Sequence, residues 1–131
     1  MQVRLPWGST VLSEEGKPLF LQVAELVENA IIDGSLPEES QAPSTNELAA
    51  FHRINPATAA KGLNKLVADG ILYKRRGIGM FVTTGAPDAL RLRRREHFAS
   101  QYIGPLVREA DKLGMSIAEL KSMLDHWEGR P

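Results

Sequence analysis

The side chains best equipped for chemistry in this chain are cations and hydrogen-bonding groups arranged for contact rather than for bond-making. Lys74-Arg75-Arg76-Gly77-Ile78-Gly79 brings three cations to a turn flanked by glycines. Gly77 and Gly79 tolerate positive backbone angles there and let the chain approach a surface closely. Just upstream, Asn55, Ala57, Thr58, Lys61 and Lys65 recur on the outward side of a helical pattern. Asn55 and Thr58 can hydrogen-bond base edges or phosphates, Ala57 can touch a thymine methyl, and Lys61 and Lys65 suit phosphates. Arg75 and Arg76 suit a narrow minor groove, whose negative potential is enhanced. A third group, Ser44-Thr45-Asn46-Glu47, opens on a capping signal, and a phosphate can sit at the helix N-terminus it caps. Each group also has a plainer role. Asn55 and Thr58 serve as cap and core satisfaction, and the arginine turn serves as a solvated loop.

Catalysis finds no support in the pattern. There is no nucleophile motif, no P-loop, no dinucleotide fingerprint and no paired-carboxylate constellation. His52, His97 and His126 are the only histidines, and no two have ligand spacing on one helix. A metal site would need His97 to converge with Asp125 or His126 from distant segments, so neither metal nor cofactor is expected. The chain has no cysteine, which removes disulfides and thiolate zinc sites. Met1-Gln2-Val3-Arg4-Leu5-Pro6-Trp7 lacks the apolar core of a signal peptide, and no apolar run is long enough to span a membrane. A cytoplasmic location is the simplest expectation.

The net charge of zero hides a strong asymmetry. Residues 1–50 carry two Lys/Arg against eight Asp/Glu, residues 51–84 carry six against one, and residues 85–131 carry eight against seven. The cations therefore concentrate around the glycine turn, where a local positive field can steer the chain onto phosphates. That distribution also separates DNA binding from its main rival, a protein-interaction module whose basic turn only keeps the surface soluble.

These groups need elements to hold them. Phe20, Val23, Ala24, Val27, Ala30 and Ile31 step by three and four, predicting a first helix from about Pro18 to Asp33, stopped by Gly34 and Pro37. Ser44 and Glu47 form a capping box for a helix from Thr45 to about Phe51. After a turn at His52-Arg53-Ile54, Asn55 caps a helix with Pro56 at its first position, running to Asp69 and stopped by Gly70. Ala60, Leu63, Leu66 and Val67 are its expected inward face. Ile71–Arg75 and Met80–Thr83 flank the glycine turn as a hairpin, and Gly85-Ala86-Pro87 reads as a linker. The fold class is mainly α with a small β-hairpin: a winged helix-turn-helix over residues 1–84, including an extended lead around Trp7, followed by a two-helix dimerisation or effector segment over residues 85–131. A helix-turn-helix can lay its second helix in the major groove while the first crosses the backbone.

The residues resemble the GntR family of bacterial transcription regulators, and within it the YtrA subfamily. The resemblance rests on Pro18–Val23, Pro43-Ser44-Thr45 with Glu47-Leu48-Ala49, Asn55–Lys61, and Arg75–Val82, with Leu106–Ala110 and Leu113–Ser116 in the tail. It implies a homodimer that binds a palindromic operator, usually represses, and often lies near genes for ABC transporters. Two positions depart from the pattern: many relatives carry arginine where Asn46 stands, and a basic residue followed by leucine where Gln41-Ala42 stand.

The tail supplies the expected partner surface. Phe98, Tyr102, Leu106, Ala110 and Leu113 step by four, four, four and three along a long helix that should kink or break at Gly104-Pro105. Ser116 and Glu119 cap a last helix bearing Ile117, Leu120, Met123, Leu124 and Trp127. Two amphipathic helices need a cover for these stripes, and a second copy supplies it together with two-fold symmetry. Packing of the stripe within the tail and against the head is the alternative. The tail is too short to enclose a metabolite alone, so a small-molecule effector would bind at the interface between copies. Arg91-Leu92-Arg93-Arg94-Arg95 is read as a solvated helix face.

Overall fold

The computed structural model describes residues 16–127, so the lead around Trp7 lies outside the described residues. Contacts divide the chain into two compact units, Met1–Arg91 and Leu92–Pro131.

In the first unit, helix α1 (Leu19–Ile32) starts after Pro18 and buries Val23, Ala24, Leu26, Val27, Ala30 and Ile31. Phe20, expected on that buried face, is only half-buried. Helix α2 (Thr45–His52) begins on the expected capping box, and helix α3 (Pro56–Ala68) on the expected Asn55 cap. Between them Arg53 takes the left-handed conformation at φ 53°, and Ile54 N–H closes the turn on Ala49 C=O at 3.1 Å. The buried face of α3 differs from the expected one. Ala59, Gly62, Leu63 and Leu66 are buried, whereas Ala60 and Val67 are half-buried. The reason is close packing on α1, which selects the small residues Ala59 and Gly62. A Cβ on Gly62 would lie 2.7 Å from the Phe20 carbonyl oxygen and 2.7 Å from Val23 Cγ1.

Strands β1 (Leu72–Arg75) and β2 (Gly79–Val82) pair antiparallel, with Leu72 opposite Val82 and Arg75 opposite Gly79. A further segment, not expected from sequence, completes the sheet. Residues 39–42 run along the other edge of β2: Glu39 N–H donates to Val82 C=O at 2.8 Å, Val82 N–H to Ser40 C=O at 3.0 Å, and Ala42 N–H to Met80 C=O at 2.8 Å. Helix α4 (Ala86–Phe98) corrects the expected linker at Gly85-Ala86-Pro87. Pro87 falls in its first turn, where the missing N–H costs no bond, and Ala86 and Leu90 join the core with Leu48, Leu63, Leu66, Ile71 and Val82.

The second unit takes in α4 from Leu92 onward, a π-helical segment Ala99–Ile103, α5 (Gly104–Lys112) and α6 (Ile117–Asp125). The expected disturbance at Gly104-Pro105 takes the form of that π-helical segment. Pro105 offers no N–H and its ring would meet the carbonyl four residues back, so the preceding turns widen. Gly114, at φ 70°, follows the end of α5, and Ser116 and Glu119 form the expected capping box. No helix among the described residues is long and apolar enough to cross a membrane.

Candidate nucleic-acid interface

The start of α2 is held by reciprocal hydrogen bonds. Glu47 N–H donates to Ser44 Oγ and Ser44 N–H donates to Glu47 Oε1, both at 3.0 Å. Ser44 and Asn46 are exposed and Thr45 half-buried. The first amides of a helix have no intrahelical acceptor, so those of Thr45 and Asn46 remain as donors for an external anion.

On α3, the Asn55 carboxamide oxygen accepts Ala57 N–H at 2.8 Å, which uses it as a cap, and Asn55 itself is exposed. Ala57 is exposed and Thr58 half-buried. Lys61 Nζ lies 4.1 Å from the Phe20 ring centroid, a cation–π contact, and Lys65 Nζ pairs with Asp69 at 2.6 Å one turn on. The two lysines therefore already have intramolecular partners, which phosphates would have to replace.

The wing separates its two arginines. Arg75 lies over the Phe81 ring at 4.6 Å and 6.0 Å from Tyr73, and the two rings stack with centroids 6.0 Å apart. Its charge is held on an aromatic bed. Arg76 projects from the turn Arg76-Gly77-Ile78, which is closed by Ile78 N–H on Arg75 C=O at 3.0 Å with Gly77 at φ 76°. Arg76 and Lys74 are exposed and make no ion pair or side-chain hydrogen bond among the described residues. Gly79, at φ 146°, resumes the strand.

Sequence reasoning missed three groups around this surface. Glu39, at φ 64°, accepts hydrogen bonds from the Thr84 and Tyr73 hydroxyls at the base of the wing. Those bonds, the Thr84 one foremost, hold its carboxyl below the ordinary carboxylate range, and the same carboxylate pushes the Tyr73 phenol up. Gln41 donates its amide to Ile78 C=O at 3.0 Å. His52, read as part of a turn and as a histidine without ligand spacing, has a buried Nε2 with no partner among the described residues, and burial lowers its pKa. A non-local contact such as Gln41 with Ile78 leaves no local periodicity to read.

The model of the bacterial regulatory proteins, gntR family, matches residues 19–82. A solved GntR-family protein from Bacteroides thetaiotaomicron is 31% identical, covering 84% of this chain and 96% of that one with a TM-score of 0.67. The chain belongs to the GntR family. Among other relatives of this GntR chain, the histidine utilization repressor of Pseudomonas putida is 32% identical over 71 residues, which are 54% of this chain and 29% of the repressor. This GntR chain thus spans less than a third of that repressor's length. The DNA-binding domain of AraR, solved in complex with operator ORX1, is 32% identical over 57% of this chain and 90% of its own, with a TM-score of 0.50.

The expected partner surface of this GntR chain lies in its second unit. Phe98, Tyr102, Leu106, Leu113, Leu124 and Trp127 are all between 43% and 65% exposed, and the Phe98 and Tyr102 rings lie 5.5 Å apart. Ala110 and Leu120 differ from them. At 3% and 8% exposure they are already covered within the chain, so neither is open to a second copy. Ile103, Ile117 and Met123 are exposed apolar side chains of the same unit.

Proposed function

We propose that this chain is a DNA-binding transcription regulator, a repressor that grips a palindromic operator as a homodimer. The observation that carries the reading is the pairing of an outward-facing α3 N-terminus with a wing whose Arg76 is exposed and uncommitted. In this reading Asn55, Ala57 and Thr58 meet base edges, while Ser44, Thr45, Asn46, Lys61 and Lys65 meet phosphates. Arg76 enters the minor groove, Gly77 and Gly79 allow the close approach, and Arg75 braces the wing. The histidine utilization repressor and the AraR–operator complex among its relatives support the DNA partner.

Homodimerisation is supported by the row of exposed apolar side chains in the second unit, which a second copy would cover. The resemblance to the YtrA subfamily adds ABC-transporter genes as the expected targets, and we place a small-molecule effector, where one acts, between the two copies. Selection of bound fragments from the source genome tests the reading. Recovery of one inverted-repeat sequence upstream of a gene supports it, and recovery of fragments without a shared sequence overturns specific recognition.

A further inference from the structure

The wing is a short two-stranded hairpin, an element that is marginal in water without further support. Its support comes from residues 39–42, immediately before the α2 cap. Backbone pairing along β2 places Gln41 opposite Phe81. From there the Gln41 side chain reaches past the last backbone pair and donates to Ile78 C=O at 3.0 Å, inside the turn that carries Arg76. The fit is tight, since a Cβ on Gly79 would stand 2.7 Å from Gln41 Nε2. This one neutral side chain thus ties the wing turn to the segment that enters α2.

We propose that Gln41 is a positioning residue for duplex binding: its amide fixes the wing turn so that Arg76 is presented to the groove before DNA arrives. A turn held in its bound conformation has less freedom to lose on association. Gln41 carries no charge and does not itself neutralise a phosphate. The inference rests on the DNA-binding reading above.

The test is a double-mutant cycle on the full chain with a mixed-sequence duplex at low salt, using Gln41→Ala, Arg76→Ala and the pair. Gln41→Ala should lower affinity by roughly three- to tenfold, the range of one net hydrogen bond. Arg76→Ala should then cost distinctly less in the Gln41→Ala background than in wild type, because an unfixed arginine contributes less. Equal Arg76 penalties in both backgrounds would overturn the proposal, because Gln41 would then act independently of the wing. Hydrogen exchange of the free protein gives a readout independent of DNA: Gln41→Ala should speed exchange at Ile78 and Gly79 while leaving Leu63 unchanged. Unchanged exchange at the turn would also overturn it. If wild type bound no duplex, the DNA reading would fall, and the exchange comparison would still decide whether Gln41 holds the wing.

Discussion

Gly62→Ala is expected to destabilise the first unit, against the usual direction for such a change. In an unobstructed helix interior, alanine in place of glycine gains about 0.5–1 kcal/mol. At Gly62 the new methyl would stand 2.7 Å from the Phe20 carbonyl oxygen, 2.7 Å from Val23 Cγ1 and 2.8 Å from Val23 Cβ. Comfortable carbon contacts lie at roughly 3.5–4.0 Å, so α1 and α3 would have to separate by on the order of 1 Å. One of the opposing atoms belongs to the backbone and cannot rotate away. Overpacking typically costs about 1–3 kcal/mol, and three contacts this short, one with backbone, put Gly62 in the upper half of that range, leaving a net loss of roughly 1–2.5 kcal/mol after the propensity gain. For a unit of this size that is a fall in Tm of about 5–15 °C. Thermal denaturation followed by circular dichroism measures it, with Asn64→Ala, an exposed position on the same helix, as a control expected to be neutral or slightly stabilising. A Gly62→Ala protein that melts at or above wild type would refute the close approach of α1 to the reading helix.

Three further perturbations probe the wing, its base and the second unit. Arg76→Ala should weaken duplex binding about tenfold per bound copy, the order of a lost charge-assisted hydrogen bond, without moving Tm; equal affinity in a filter-binding or anisotropy assay would remove the wing from the mechanism. Glu39 has a folded pKa below its unfolded value, so its contribution is present above the ordinary carboxylate range and fades as pH falls through the lower folded value. Melting across that acidic range should therefore show a smaller loss of stability for Glu39→Gln than for wild type, and parallel profiles would contradict the assignment. Phe98→Glu and Leu124→Glu, both at exposed positions, should leave the fold intact and convert a dimer to monomers in sedimentation experiments; a wild-type protein monomeric at micromolar concentration would refute the dimer.

Signals confined to a few neighbouring residues are legible in the amino-acid sequence itself. Ser44 with Glu47, Asn55 with Pro56, and Ser116 with Glu119 are caps whose geometry is set within four residues, and each starts its helix where expected. The hairpin is equally legible, because β-branched and aromatic residues flank its glycines. Contacts across the fold are not. The pairing of residues 39–42 with β2 joins segments far apart in the chain, and Glu39-Ser40-Gln41-Ala42 carries little β-propensity. The buried face of α3 depends on how closely α1 approaches, which moves burial from Ala60 and Val67 to Ala59 and Gly62. In the candidate interface, the positions of the cations follow from sequence, whereas their engagement does not: Arg75 on Phe81, Lys61 on Phe20 and Lys65 on Asp69 leave Arg76 as the uncommitted arginine of the wing.

DNA binding itself is tested most directly by the salt dependence of the interaction between the purified chain and duplex DNA. The logarithm of the binding constant should fall linearly with the logarithm of salt concentration, with a slope of about 0.9 for each phosphate neutralised and a total corresponding to several phosphates. Binding that does not change with salt, or no binding even at low ionic strength, would contradict a phosphate-gripping wing and reading helix.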